Sequence, residues 1–142
     1  MTDTHDLPSP PAPTVWHSLS YRDAPAAIDF LVKAFGFVST AVYHDEGDQS
    51  RIAHAELRWP PGGGVMLGSS GRPSGMADPT GHGSAYAVVD GPDSDVDVLF
   101  ERAVAAGATV VREPRDEEYG NRDFVVRDPE GNQWSFGTYR GE

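Results

Sequence analysis

The stretch Arg127–Tyr139, RDPEGNQWSFGTY, decides how this chain is read. Asp128-Pro129-Glu130-Gly131 places Pro second and Gly fourth in a four-residue turn, as a type I turn prefers. The QWSFGTY run after it alternates in size, so Trp134 and Phe136 share one face of a strand. Gln133, Ser135 and Gly137 share the other. With DFVVR before the turn, the stretch reads as a β-hairpin whose bulky row belongs to a core under helices. The opposite row would line any cleft, and it carries neither a carboxylate nor an imidazole.

Working outward, the same grammar appears twice. TVWHSLSY (14–21) alternates as a strand. Asp23 caps a helix with Pro25 in its first turn, and Ile28, Leu31, Val32 and Phe35 fall on one helical face before Gly36 ends it. Strands follow at 37–44, 51–59 and 64–69, separated by the polar loop DEGDQS and the turn PPGGG. The connector SSGRPSGMADPTG has no periodicity. The pattern then restarts with SAYAVVD (84–90). A helix capped by Asp93 or Ser94 carries Val96, Leu99, Phe100 and Ala103, and Gly107 stops it. A strand at 108–114 and the acidic loop RDEEYGN lead to the final hairpin. Asp23 and Asp90 stand 67 residues apart, and Gly36 and Gly107 stand 71 apart. The chain therefore reads βαβββ twice, and a repeat of this kind constrains architecture more than any single element does. Neither half closes a core alone. The expected fold is α+β: two modules forming a curved half-barrel sheet with helices outside and a cleft inside. The modules run from about 14 to 69 and 83 to 140 within one domain at 14–142. The connector covers 70–82, and a Pro-rich tail at 1–13 is expected to be disordered.

Composition bounds the function. The 142 residues carry 11 Lys and Arg against 22 Asp and Glu, for a formal net charge of -11. That disfavours nucleic acid, since no basic surface is available to displace counterions from phosphates. It favours cationic small molecules near any acidic concavity, although solubility alone also accounts for it. There is no cysteine, hence no disulfide, thiolate metal site or Cys nucleophile. No apolar run reaches the length of a bilayer span, and the start does not resemble a secretory signal, so no membrane partner and a cytoplasmic location are expected. PPGGG and GVMLG lack the Lys-Ser/Thr and the helix of a phosphate loop. No G-x-S-x-G elbow is present either.

Several residues resemble a known superfamily. YRDAPAAIDFLVKAFGF resembles the opening strand and helix of the glyoxalase, bleomycin-resistance and extradiol-dioxygenase (vicinal oxygen chelate) proteins. YAVVD, ERAVAAGATVVREP and YGNRDFVVRDPEGNQWSFGTY are similar to its second half. The resemblance implies paired βαβββ modules and usually a homodimer with clefts at or near the subunit interface. It also implies where metal enzymes of this kind carry ligands: at Trp16, at Leu67 or a neighbour, at Ser84 and at Ser135. None of these is a usual ligand for a transition ion, which needs about three protein donors. The metal-free bleomycin-resistance branch, acidic dimers that sequester a cationic drug, is the similar case.

The expectation is therefore a metal-independent protein that binds a small cationic or aromatic compound such as an antibiotic, with no cofactor. Trp16 and Tyr86 share a face by parity and suit stacking on a planar or cationic ligand. Trp59 and Tyr119 are further aromatic candidates, and Ser18, Ser84, Gln133 and Ser135 would orient the ligand. His54 and Glu56 lie at i and i+2 of one strand. They read as an acid/base couple, half of a displaced metal site, a charge clamp, or a plain structural pair. A metal-dependent lyase, isomerase or dioxygenase would need them joined by His17 or His82. His17 reads as a partly buried structural histidine, His82 as a loop residue, His44 as exposed, and His5 as part of the tail. A third possibility is a dimeric interaction module whose cleft is filled by large side chains.

Overall fold

The computed structural model describes residues 12–72 and 79–142, so most of the expected tail, His5 with it, and the middle of the connector lie outside the described residues. The first module comprises β1 (His17–Tyr21), α1 (Ala24–Phe30) with a π-helical turn at Leu31–Phe35, β2 (Val38–Asp45), β3 (Asp48–Arg58) and β4 (Gly64–Ser69). The second comprises β5 (Ser84–Val88), α2 (Asp93–Ala105), β6 (Thr109–Asp116), β7 (Arg122–Arg127) and β8 (Gln133–Gly137). Each forms a four-stranded mixed sheet, ordered β1-β4-β3-β2 and β5-β8-β7-β6, and no barrel closes. In each sheet the first strand runs parallel to the last and the other pairings are antiparallel. The α+β class with two repeated modules and curved sheets is as expected.

Local chemistry explains the boundaries. Asp23 accepts a bond from the Ala26 N–H at 3.2 Å and so caps α1. Gly36 ends the π turn at φ 87°, a conformation that costs a side-chain-bearing residue dearly. The extra residue in that turn rotates Leu31 and Phe35 into the core and leaves Val32 36% exposed, so the four apolar residues do not share one face. The cap of α2 also differs from expectation. Asp93 is already helical, Pro92 precedes it without a side-chain bond, and Asp93 and Asp95 instead place negative charge at the positive end of the helix dipole. The DEGDQS loop shrinks to Glu46-Gly47, because Asp48 pairs with Asp45 across the hairpin.

The two modules pack helix face to helix face. Phe35 from the first meets Trp134 and Phe136 of β8, with ring centroids 5.5 and 4.6 Å apart, and Phe37 and Trp59 extend the aromatic layer. Arg102 of α2 donates to the carbonyls of Lys33 and Val32 at the end of the π turn. One buried cluster thus runs through both halves, including Leu19, Tyr21, Phe30, Leu57, Phe124, Val126, Trp134 and Phe136. Each such side chain contributes about 1.5–3 kcal/mol by burial. Phe30, Trp134 and Phe136 are core residues, as their row in the sequence suggests.

The Asp128–Gly131 turn fastens one half to the other. Gly131 N–H returns to the Asp128 carbonyl at 3.0 Å, closing the expected turn. The Asp128 carboxylate then accepts the Tyr21 hydroxyl at 2.7 Å from β1. Glu130 accepts the N–H groups of Arg22 and Asp23 at 2.7 and 2.8 Å, just ahead of α1. Burial, with the Asp128 carboxylate beside it, pushes the Tyr21 phenol far above its ordinary range, so it remains a donor.

Candidate functional site

Because the helix faces meet, the opposite face of each sheet is left open. On the first sheet that open face carries Ser18 and Ser20 of β1, Met66 and Gly68 of β4, and His54 and Glu56 of β3, with Trp16 just before β1. A β-bulge makes this possible. Tyr43 pairs with His54 but His44 pairs with Ile52, so Ala53 is the extra residue. Ile52 turns inward and is buried, while His54, two residues later, turns outward. Plain alternation would have put both on one side.

His54 Nε2 and Glu56 Oε2 lie 2.8 Å apart, and the Tyr43 ring stacks over His54 at 6.4 Å. Trp16 lies against β4 so closely that a Cβ on Gly64 would come within 2.6 Å of its ring. The Arg58 guanidinium sits 5.7 Å from that ring, in cation–π range. A hollow of about 240 Å³ opens among Ser18, Ser20, His54, Met66, Gly68 and Arg72.

The open face of the second sheet carries Ser84 and Tyr86 of β5, Gln133, Ser135 and Gly137 of β8, and Asp123 of β7. In register, Ser84 pairs with Gln133 and Tyr86 with Ser135. The Tyr86 hydroxyl donates to the Tyr139 carbonyl at 2.7 Å. A Cβ on Gly137 would come within 2.8 Å of that hydroxyl, which explains why the row ends in glycine. Asn121 accepts the Tyr139 N–H at 3.0 Å and donates to the Tyr119 hydroxyl at 3.3 Å, and the Tyr119 and Tyr139 rings meet edge to face. Asp123 pairs with Arg112 at 2.7 Å. Its carboxylate is therefore already neutralised.

The candidate residues fall into separate places. Trp16, Ser18, His54 and Glu56 share the first open face; Ser84, Tyr86, Gln133 and Ser135 share the second, with Tyr119 at its edge. Trp59 joins neither. It lies on the helix side, packs on Phe37 and Phe136, and donates its indole N–H to the Val88 carbonyl at 2.9 Å. Leu67 is buried too, and its neighbour Met66 takes the open-face position. Tyr43, Arg58, Asn121 and Tyr139 border the faces without having been singled out by the sequence. Tyr139 ends the RDPEGNQWSFGTY stretch, and Arg58 continues the alternation of His54 and Glu56, so both left a trace.

The donor set does not fit a metal of the family type, since Trp16, Met66, Ser84 and Ser135 offer no imidazole or carboxylate. The relocated site is not assembled either. His17 packs against Trp134 and shares a small hollow with exposed His82, Pro79 and Gly83, but His54 does not line it. Among the described residues, no three His, Cys, Asp or Glu side chains come together as a metal site would need. Among the described residues, no helix is long and apolar enough to cross a membrane.

Burial holds the pKa of His17 below its ordinary 6.5. The unfolded chain therefore binds a proton that the folded one refuses, and stability falls as pH drops below 6.5. The expected result is that His17→Phe flattens the stability profile between pH 7 and pH 5 in urea titrations. An unchanged profile would show that this imidazole is solvated.

The sequence profile of the Glyoxalase/Bleomycin resistance protein/Dioxygenase superfamily matches residues 14–136. An uncharacterized protein of Mycobacterium bovis is 38% identical over 130 residues, 88% of this chain and 82% of its own length. TioX from Micromonospora sp. ML1 superposes with a TM-score of 0.70 at 34% identity, covering 89% of this chain and 99% of its own. A glyoxalase/bleomycin resistance protein/dioxygenase family enzyme from Burkholderia phytofirmans shares the fold, with a TM-score of 0.64 at 21% identity over 89% of this chain and 98% of that one. The chain belongs to the glyoxalase/bleomycin resistance protein/dioxygenase superfamily.

Proposed function

We propose that the protein binds a flat aromatic, amine-bearing compound without a metal ion and sequesters it unchanged, as a resistance protein does with an antibiotic. The observation that carries this reading is the exchange of metal-donor positions for Met66, Ser84 and Ser135, bordered by the rings of Trp16 and Tyr86. Aromatic rings with a few hydroxyls offer stacking and orientation, and Glu56 offers a partner for an amine. The net charge contributes less than composition alone suggests. Many of the acidic residues sit on α2 and in the β2–β3 and β6–β7 turns, while Arg58 and Arg112 accompany Glu56 and Asp123 on the open faces.

The site also implies an assembly. Within one chain the helix faces meet and both open faces look outward, so neither encloses a ligand by itself. The proposed form is a homodimer in which the first sheet of one protomer faces the second sheet of its partner, giving two equivalent clefts.

The planar cation 9-aminoacridine serves as probe, with 2-anthracenesulfonate as its anionic counterpart. The expected result is a rise of roughly 5 °C in thermal midpoint with saturating 9-aminoacridine. Trp16→Ala and Glu56→Gln should weaken that response, and the sulfonate should give little. Nickel, zinc or manganese should leave the midpoint unmoved. Stabilisation by a metal and none by the acridine would overturn the proposal in favour of a metal enzyme.

A further inference from the structure

His54 and Glu56 stand apart from the other charged groups of the molecule. Among the described residues every other ion pair uses an arginine, while the Glu56 carboxylate meets an imidazole and nothing else. Arg58, two residues further along the same face, turns to the Trp16 ring instead.

The geometry makes this pair chemically usable. Glu56 Oε2 accepts the His54 Nε2 proton at 2.8 Å, which leaves the lone pair of the neutral ring on Nδ1. Nδ1 has no protein partner, and it is not among the buried unpaired atoms; the His54 side chain is 41% exposed. The ring lines the hollow of about 240 Å³ that Ser18, Ser20, Met66 and Gly68 share, and Tyr43 stacks against it. A carboxylate that fixes one tautomer of a histidine, and stabilises the imidazolium formed when the ring takes a proton, makes that histidine an oriented base. No hydroxyl is hydrogen-bonded to Nδ1, so no activated nucleophile stands beside it. The chemistry that remains is removal of a proton from the ligand itself.

We propose that the first open face has a further activity: His54 Nδ1, oriented by Glu56, removes an acidic C–H proton from a planar aromatic compound without a metal ion. Nδ1 takes the proton, and the C–H electron pair moves into the adjoining bond. Negative charge collects on an oxygen of the compound, for which the Ser18 and Ser20 hydroxyls supply donors. The inference rests on the open-face reading for where a flat ring docks, and adds a reaction to it. A compound without such a C–H bond, 9-aminoacridine among them, is held unchanged.

The probe is 5-nitrobenzisoxazole, a flat uncharged ring with one acidic heterocyclic C–H. Transfer of that proton to a base turns the C–H pair into the third bond of a nitrile and breaks the N–O bond, releasing a coloured cyanonitrophenolate. The expected result is saturable turnover by the full chain, with kcat/KM roughly a hundredfold above the second-order rate constant of N-acetylhistidine. His54→Gln should remove that excess, while His44→Gln, at an exposed histidine of β2, should leave it unchanged. Glu56→Gln keeps an acceptor for Nε2 but removes the charge, and should lower kcat roughly tenfold with KM in place, since the probe is neutral. Turnover no faster than N-acetylhistidine overturns the proposal, as does undiminished turnover in His54→Gln. The two readings fail separately. Turnover that depends on His54, with no thermal response to 9-aminoacridine, supports the base and removes sequestration alone; an acridine response with no such turnover removes the base alone.

Discussion

Asp128→Ala should cost about 3–5 kcal/mol, a large part of the stability of a domain this size. The carboxylate is buried and receives the Tyr21 hydroxyl at 2.7 Å, Asn132 Nδ2 at 3.0 Å, Trp134 Nε1 at 3.1 Å, and the backbone N–H groups of Glu130 and Asn132 at 3.0 and 3.1 Å. Alanine leaves those donors in place with nothing to accept them, and an orphaned buried donor loses far more than a net hydrogen bond gains. The contacts also span the halves, since Tyr21 belongs to β1 and Trp134 to β8. Asparagine is a poor rescue. Its amide N–H₂ must face Asn132 Nδ2 and Trp134 Nε1 or else the two backbone donors, so donor meets donor either way. Tyr21→Phe removes only one member and should cost about 1 kcal/mol. In urea titrations the Asp128→Ala midpoint should drop by roughly 2 M with little change in slope. A drop no larger than that of Tyr21→Phe would mean that water replaces the carboxylate and that the turn is not the clasp between modules.

That clasp shows what the sequence makes legible. The turn chemistry of Asp128-Pro129-Glu130-Gly131 and the alternation after it are local, and local rules read them correctly. What the turn grips is not local: Tyr21 lies 107 residues away, and no periodicity links the two. The site repeats the lesson. Parity put Trp16, Ser18, Tyr86 and Ser135 on open faces, because β1, β5 and β8 run without irregularity. Parity with Leu57, which is buried, also places Trp59 on the helix side, so that position is legible in the sequence. The bulge at Ala53 leaves no comparable trace. Ile52 and His54 look like neighbours on one face until pairing with β2 separates them. The π turn that exposes Val32 is hidden likewise, since a 3.6-residue repeat assumes an unbroken α-helix. The relocated metal site failed for a topological reason. His17, His54 and His82 are all ligand types, and His17 and His82 line one small hollow, but among the described residues no third donor joins them and His54 stands on the opposite face of the sheet.

The second large effect is expected when two inactive variants are mixed. Ser18→Trp obstructs the first open face and Ser135→Trp the second; both positions face away from the core, so the fold should survive. If each cleft combines the first sheet of one protomer with the second sheet of its partner, either homodimer has two blocked clefts and binds no 9-aminoacridine. A mixed dimer differs. One of its clefts collects both obstructions, while the other collects an intact first sheet from the Ser135→Trp chain and an intact second sheet from the Ser18→Trp chain. Random reassortment after unfolding and refolding makes about half the dimers mixed, each with one working cleft of two, so about a quarter of the wild-type sites return. Acridine fluorescence titration counts them. A cleft built within one chain predicts no recovery at any mixing ratio, because every cleft then keeps its own obstruction. A monomer predicts none either, and sedimentation separates that case from the first. Recovery near one quarter therefore requires both the dimer and the exchange of sheets between protomers, and neither alone produces it.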